Sequence, residues 1–196
     1  MKIVSFFGSI AVGKTTLGRK ISSKYSNVQF LEEELGYNPF IEKFYDDMKR
    51  WGFHSSIVML SLMLSYYSKF EKNKEIYILD NGVEELIAYT NLEHDYNILT
   101  DEEYKEYKKL YNNVINVIPK TDLYIYFKCN IDVQLERIKQ RNRSFEQNVD
   151  KEFLTHLNAK YEEYVSSIPK EKLIVIDSNQ EINEDEIYEL ISNHNA

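Results

Sequence analysis

One stretch near the start decides the fold of this 196-residue chain: Lys2-Ile3-Val4-Ser5-Phe6-Phe7-Gly8-Ser9-Ile10-Ala11-Val12-Gly13-Lys14-Thr15. Residues 2–7 form an apolar run rich in β-formers, which predicts a buried strand. Residues 8–15 satisfy the pattern G-x-x-x-x-G-K-[ST], and a helix is predicted from about Lys14. A strand, this loop and a helix in immediate succession distinguish a phosphate-binding loop from an accidental glycine-rich turn.

The chemistry of such a loop follows from its backbone and from two side chains. Backbone N–H groups and the helix N-terminus bind anionic phosphate, and glycines permit positive φ and close approach. Lys14 would place a positive charge on the transferring phosphates, and the Thr15 hydroxyl would ligate Mg²⁺. We therefore predict that ATP and Mg²⁺ bind here, with the triphosphate held by Gly8, Ser9, Ala11, Val12, Gly13, Lys14, Thr15 and Thr16.

The rest of the chain alternates predicted strands with predicted helices. Further strands are predicted over 28–31, 76–79, 123–127 and 173–176. Helices are predicted over 38–51, 55–70, 102–118, 133–141, 152–166 and 184–192. This alternation predicts one α/β domain over residues 1–196, with a five-stranded parallel sheet covered by helices on both faces. Ligands in such folds bind at the carboxyl ends of the strands.

Composition excludes several classes of partner and location. The net charge is −8, whereas a protein that binds nucleic acid normally carries a basic surface. Cys129 is the only cysteine, so no internal disulfide forms, and a reducing, cytoplasmic location is expected. No apolar run approaches the ~20 residues of a membrane span, and the apolar start runs directly into the glycine-rich loop instead of a cleavage site.

Arg137, Arg141 and Arg143 form a second constellation near the end of a predicted helix. Arg137 and Arg141 are four residues apart and therefore share a helix face. Three cations there would clamp the charge that spreads over a transferring phosphoryl group. The alternative is a solvated basic helix end, because cations also favour helix C-termini.

Acidic residues follow three of the predicted strands. Asp80 would hold Mg²⁺ directly or through water, although Asp80-Asn81-Gly82 also has the composition of an ordinary turn. One of Glu32, Glu33 and Glu34 would accept the proton of a substrate hydroxyl. Asp177 ends the fifth strand and is assigned to the triphosphate site together with Arg137 and Arg141.

These features together resemble the deoxynucleoside kinase family, especially its bacterial deoxyadenosine/deoxyguanosine branch. Three segments carry the resemblance beyond the loop: residues 33–46 with Asn38-Pro39-Phe40, the entry to a substrate helix at Trp51-Gly52-Phe53-His54, and residues 135–147 with the three arginines. The resemblance implies a P-loop kinase fold with an arginine-rich lid. It also implies transfer of the γ-phosphate of ATP to a nucleoside 5′-hydroxyl, and a homodimer for which residues 57–64 offer an apolar contact.

The resemblance also implies roles for individual residues. Glu33 would be the base on the 5′-hydroxyl, and Asp80 would lie near Mg²⁺. The catalytic set would be Lys14, Glu33, Asp80, Arg141 and Arg143. The substrate set would be Glu33, Tyr45, Phe53, Ser56, Asn81, Leu86 and Glu146, with Tyr45 and Glu146 on the 3′-hydroxyl.

The chain departs from the family pattern at the residues that read the base. Asn81 stands where the family has arginine, Ser56 where it has glutamine, Leu86 where it has aspartate, and Glu34 where it has proline. Loss of the base-reading groups together predicts a roomier, more apolar pocket. Such a pocket would discriminate weakly among the common deoxynucleosides or prefer a bulkier or different acceptor, unless another residue such as Tyr89 reads the base. The alternatives are a kinase for a modified nucleoside, a nucleoside monophosphate or another small hydroxyl compound, and a catalytically weak nucleotide-binding protein.

Overall fold

A parallel sheet of five strands forms the centre of the computed structural model, which describes residues 1–33, 35–143, 146 and 149–194. The strands are β1 (Lys2–Phe7), β2 (Val28–Leu31), β3 (Ile76–Asp80), β4 (Leu123–Lys128) and β5 (Leu173–Asp177). Their order is β2-β3-β1-β4-β5, and every neighbouring pair is parallel. The predicted five-stranded parallel sheet is confirmed, and β1 lies at its middle with the glycine-rich loop at its carboxyl end.

Helices connect these strands and cover both faces of the sheet. In the described part of the chain they are α1 (Lys14–Lys24), α2 (Ile41–Asp46), α3 (Met48–Leu64), α4 (Leu86–Asp95), α5 (Asp101–Ile115), α6 (Ile131–Arg141), α7 (Lys151–Ser167) and α8 (Glu184–Asn193). Short 3-10 turns occupy Leu35–Tyr37, Ser65–Lys69 and Lys170–Lys172. None of the helices among the described residues is both long and apolar enough to cross a membrane.

The side chains of β1 show why both faces must be covered. Val4 and Phe6 are fully buried in a core with α1 and α8, whereas Ile3 and Phe7 are buried against α3, α4, α5 and α7. Successive strand residues point to opposite faces, so an apolar run of this kind is stable only between two helical layers. The prediction of helices on both faces is therefore confirmed.

The helices predicted over 38–51 and 55–70 have different boundaries in the structure. The helix predicted over 38–51 is broken at Asp47, whose backbone (φ −146°, ψ 84°) is not helical. The Asp47 carboxylate caps α3 by accepting a hydrogen bond from the backbone N–H of Arg50 at 3.2 Å. Thus α3 begins at Met48 instead of at residue 55, because a capping side chain satisfies backbone donors that a continuous helix would bond internally.

Helix α4 has no counterpart among the predicted helices. Its buried residues are Leu86, Ala88, Thr90, Leu92 and Glu93, and the first four alternate as they would in a strand. A helix shows a clear apolar stripe only when one face is buried. Because α4 packs against α3, α5 and α7, it is buried on several sides and lacks that pattern.

The apolar segment at residues 57–64 lies only partly in the core. Leu60 and Met63 are buried, whereas Leu64 is 38% exposed. The neighbouring helix α5, which packs against α3, exposes Leu110 at 41%. One side of this segment therefore packs in the core, and another side exposes apolar side chains to solvent.

Candidate active site

The loop after β1 adopts a backbone that its glycines permit. Gly8 and Gly13 have φ values of 140° and 98°, and Ala11 has φ 60°. A Cβ on Gly8 would also lie 2.8 Å from the carbonyl oxygen of Phe127 on the neighbouring strand. Only glycine satisfies both conditions at position 8, and the loop leads directly into the N-terminus of α1.

Lys14 occupies the first turn of α1 and folds back over the loop. Its Nζ donates to the carbonyl oxygens of Gly8 at 2.7 Å and Ser9 at 3.0 Å. Burial lowers the pKa of Lys14, and the nearby carboxylates of Asp80 and Glu33 act in the opposite direction. The ammonium group is therefore held inside the cleft against the loop.

Asp80 meets the same loop from the end of β3. Its Oδ2 accepts a hydrogen bond from Thr15 Oγ1 at 2.5 Å, and the residue is 1% exposed. Among the described residues, Asp80 Oδ1 is buried without a hydrogen-bond partner. A carboxylate oxygen without a partner beside a hydroxyl fits Mg²⁺, which binds oxygen ligands through one or two carboxylates plus substrate phosphates.

The two neighbouring glutamates after β2 have different surroundings. Burial, followed by the charge of Asp80, raises the pKa of Glu33 to about 7, while the charges of Lys14 and Arg143 and a hydrogen bond from Asn81 oppose that shift. Glu32 instead forms a two-fold contact with Arg19, in which Nε lies 2.7 Å from Oε2. Glu34 lies outside the described residues. Of the two described residues, Glu33 therefore lies within the charged cluster of the site.

Asn81 takes the position at which the family resemblance expects arginine. Its φ is 60°, a left-handed conformation that asparagine adopts more readily than most residues. Its backbone N–H donates to the carbonyl of Phe6 at 2.9 Å, and its side chain hydrogen-bonds Glu33. The segment is therefore a turn, as one reading of the sequence suggested, and it also contributes to the cleft.

The three arginines, on α6 and the segment after it, all line the same cleft as the loop. Arg137 donates from Nη2 to the carbonyl of Ser178 at 2.8 Å and from Nη1 to that of Ala11 at 3.4 Å. Arg141 forms two bonds of 2.6 Å to the carboxylate of Glu146, which is 3% exposed, and Arg143 lies 3.4 Å from it. Ser144, Phe145 and Gln147 of the resembling segment lie outside the described residues. Arg137 and Arg141 are thus engaged in the site instead of being solvated at a helix end.

A cleft of about 750 Å³ brings most of the predicted site residues together. It is lined by Gly8, Ser9, Ala11, Val12, Gly13, Lys14, Thr15, Thr16, Glu33, Tyr45, Ser56, Asp80, Asn81, Leu86, Arg137, Arg141, Arg143 and Glu146. This volume is typical of a site for a small organic ligand. The cleft follows the carboxyl ends of the strands, where an α/β fold binds its ligands.

The structure places two predicted site residues elsewhere. Phe53 is not part of the cleft lining and packs against the core between the sheet and α3. A large aromatic side chain is stabilised more by apolar contacts there than by exposure in a polar cleft. Asp177 is exposed and accepts a hydrogen bond from the backbone N–H of Asn179 at 2.9 Å. Its side chain stabilises its own turn, so the carbonyl of Ser178 makes the contact with Arg137.

Sequence reasoning missed two buried acidic residues of the cleft, Glu85 and Glu93. Glu93 on α4 is 7% exposed, and its Oε2 accepts a hydrogen bond from Ser56 Oγ at 2.7 Å. Burial raises the pKa of Glu93 to about 7, while the hydrogen bond from Ser56 lowers it. The signal for Glu93 in the sequence is a single carboxylate directly after the apolar positions of α4, and it was overlooked because no helix was predicted there.

The sheet, the phosphate-binding loop, the acid at the end of β3 and the arginines of α6 define a P-loop phosphotransferase. The sequence profile of the family described as Deoxynucleoside kinase matches residues 4–195. The chain therefore belongs to the deoxynucleoside kinase family, as the sequence resemblance predicted.

Named relatives agree with this assignment. The deoxyadenosine kinase of Dictyostelium discoideum is 30% identical over 173 residues, covering 85% of this chain and 68% of the relative. The deoxyadenosine/deoxycytidine kinase of Bacillus subtilis (strain 168) is 27% identical over 173 residues, covering 84% and 76%.

Solved structures resemble the whole chain. Deoxyadenosine kinase from M. mycoides with bound dATP has a TM-score of 0.83 and 28% identity, and the match covers 98% of each chain. The same enzyme with products dCMP and a flexible dCDP bound has a TM-score of 0.82 and 29% identity, covering 97% of this chain and 96% of that one.

Proposed function

We propose that this chain transfers the γ-phosphate of ATP to the 5′-hydroxyl of a deoxynucleoside. The observation that carries the proposal is the position of Glu33, whose pKa is raised to about 7 between Asp80 and Lys14 of the phosphate-binding loop. A general base is most effective when its pKa lies near the working pH. The names of the relatives, which include deoxyadenosine and deoxyguanosine kinases, support a nucleoside as acceptor.

The mechanism assigns each side chain a separate task. Glu33 accepts the proton of the 5′-hydroxyl as the hydroxyl oxygen attacks the γ-phosphorus of ATP and ADP leaves. Lys14 and Arg141 stabilise the charge on the transferring phosphoryl group. Arg137 fixes the loop against the end of β5 through its bonds to Ala11 and Ser178. When bound at Thr15 and Asp80, Mg²⁺ would neutralise charge on the triphosphate.

The sugar would be held by Tyr45 and Glu146, both of which line the cleft. Glu146 is a hydrogen-bond acceptor already oriented by two bonds from Arg141. A 3′-hydroxyl that donates to Glu146 would couple sugar binding to the position of Arg141. The sugar would then help to position the arginine that acts on the phosphate, so binding energy remote from the reacting atoms would favour catalysis.

The direct test is an ATP-consumption assay with the four common deoxynucleosides, in which the mass of each product is measured. We expect a 5′-monophosphate and ADP in equal amounts. Lys14→Ala protein serves as the control for contaminating kinases. If ATP is bound but no deoxynucleoside gains a phosphate, the catalytically weak alternative or a different acceptor replaces this proposal.

A homodimer is the proposed assembly. The neighbouring helices α3 and α5 expose Leu64 and Leu110, apolar side chains that a second copy would cover. Sedimentation equilibrium should give twice the chain mass, and Leu110→Glu should lower it toward one chain. A monomeric wild type would contradict this assembly.

The single free cysteine, Cys129, supports a reducing, cytoplasmic location.

A further inference from the structure

Glu93 is a buried acid in the cleft that the phosphate chemistry does not use. It lies on α4 opposite Ser56 of α3, and Leu86 and Thr90 line the same part of the cleft. Ser56 Oγ donates to Glu93 Oε2 at 2.7 Å. The family resemblance places the base-reading groups at positions 56, 81 and 86, so a carboxyl group hydrogen-bonded to Ser56 lies where the base of a bound nucleoside is expected.

No positive charge compensates this carboxyl group among the described residues. The titratable groups that face it are Tyr45 from α2 and Tyr107 from α5, and burial raises the pKa of both phenols. From α3 it receives only the Ser56 hydroxyl, and Lys160 of α7 pairs with Asp95 at 2.7 Å instead. A buried acid without a counter-charge favours its neutral form.

A neutral carboxyl group offers one O–H donor and one carbonyl acceptor. Because Ser56 donates to Oε2, this oxygen is the carbonyl-like acceptor, and the proton of the neutral form resides on Oε1. The pair of groups matches that of the glutamine side chain absent at position 56. Its complement is an amino group next to an unprotonated ring nitrogen, which occurs on adenine and cytosine.

We propose that neutral Glu93 reads the base by donating to the ring nitrogen and accepting from the adjacent amino group of an adenine or cytosine deoxynucleoside. Ser56 is the positioning residue that orients the carboxyl group. The inference rests on the proposed nucleoside kinase function. It replaces the sequence-based expectation of weak discrimination, because the reading group comes from a helix that was not predicted.

The first experiment measures kcat/KM for deoxyadenosine, deoxycytidine, deoxyguanosine and thymidine between about pH 6 and pH 8. In the ratio of kcat/KM for two substrates, the effects of ionisation of Glu33, Lys14 and Asp80 cancel, because these residues act on atoms that both substrates share. We expect adenine and cytosine substrates to be preferred about tenfold or more at the lower pH. With a pKa of about 7, the neutral fraction of Glu93 falls about tenfold over this range, and the preference should fall with it.

Two substitutions identify Glu93 as the origin of this behaviour. Glu93→Gln keeps one donor and one acceptor but does not titrate, so it should retain the preference and remove its dependence on pH. Ser56→Ala removes the hydrogen bond that lowers the pKa of Glu93, so it should move the midpoint of the pH profile upward. The matched control is Glu84→Gln, which changes a buried glutamate outside the cleft lining and should leave the ratio unchanged.

Equilibrium binding of deoxyadenosine and deoxyguanosine, measured by calorimetry without ATP, separates this inference from the proposed function. Preferential binding of deoxyadenosine that is lost in Glu93→Leu supports the role of Glu93 even without turnover. Preference for deoxyguanosine would indicate an ionised carboxylate that accepts two donors and would overturn the inference. A wild-type ratio independent of pH, or binding of neither nucleoside, would also overturn it.

Discussion

At the scale of single residues, the two described glutamates after β2 show how adjacent identical side chains acquire different roles. Glu33 lies in the charged cluster with Lys14 and Asp80, whereas Glu32 is occupied by Arg19 on the surface. We predict that Glu33→Gln lowers kcat by about 10²-fold or more and that Glu32→Gln changes it only a few-fold. Steady-state kinetics of the two purified variants measures this difference. A larger loss of kcat in Glu32→Gln than in Glu33→Gln would show that Glu33 is not the general base.

Lys14 is the second residue whose environment predicts its contribution. It is buried by the loop and held by two carbonyl oxygens, so its loss removes charge from the site without opening the apolar core. We expect Lys14→Ala to lower kcat by about 10²-fold or more while circular dichroism and the unfolding midpoint stay close to wild type. Lys109→Ala, which removes a surface lysine of α5, is the control and should keep full activity. Normal turnover in Lys14→Ala would refute the role.

At the scale of elements, the ion pair between Arg141, at the end of α6, and Glu146 would link phosphate binding to sugar binding. Arg141 forms a two-fold contact with Glu146, so its guanidinium is held in a fixed plane. We predict that Arg141→Ala lowers kcat more than it raises KM for ATP, because its charge acts mainly on the transition state. Arg141→Lys should rescue poorly, since an ammonium group cannot make two parallel bonds. A variant with wild-type kcat and raised KM would instead indicate ground-state binding only.

The break between α2 and α3 is an element-scale feature with a cost that can be measured. Asp47 ends one helix and caps the next, so the break sets the relative position of Tyr45 and Ser56. We predict that Asp47→Ala lowers the free energy of unfolding by about 1 kcal/mol, measured by urea denaturation. Asp47→Asn retains a capping oxygen and should cost only a few tenths of that value. Equal losses in both variants would exclude capping as the cause.

At the scale of the whole molecule, buried acids should make stability depend on pH. Burial and the neighbouring Glu84 raise the pKa of Glu85 to about 8, and burial raises that of Glu93 to about 7, from an ordinary value of 4.5. Between these values the native state binds more protons than the unfolded state, so stability falls as pH rises. One pKa unit corresponds to about 1.4 kcal/mol. Because about 1 kcal/mol shifts the Tm of such a domain by roughly 2–4 °C, we expect a fall of several degrees from about pH 5 to pH 8.

Thermal unfolding of the ligand-free protein across this range provides the measurement. Glu85→Gln removes the group with the higher pKa and should flatten the upper part of the profile. Glu163→Gln changes an exposed glutamate of α7 and should follow the wild-type profile. A wild-type Tm that stays constant or rises over the same range would contradict the raised pKa values of these acids.

The amino-acid sequence alone determined the parallel sheet and its phosphate-binding loop. The strand, loop and helix signals of residues 2–15 are contiguous, and each depends on local preferences: β-formers in the run of β1, glycine at the positive φ of Gly8 and Gly13, and Lys14 at the helix start. Short-range preferences need no knowledge of distant residues. The four-residue spacing that places Arg137 and Arg141 on one helix face can likewise be read from the local sequence.

Tertiary structure decided which side chains enter the cleft and how they ionise. Ser56 and Glu93 are 37 residues apart and meet only because α3 and α4 pack together. Phe53, three residues before Ser56, packs into the core instead, and Asp177 stabilises its own turn outside the cleft. Burial on several sides obscured the pattern of α4, and that same burial removes water from Glu93 and raises its pKa. Desolvation depends on neighbours supplied by the whole fold, so no local pattern in the sequence could reveal it.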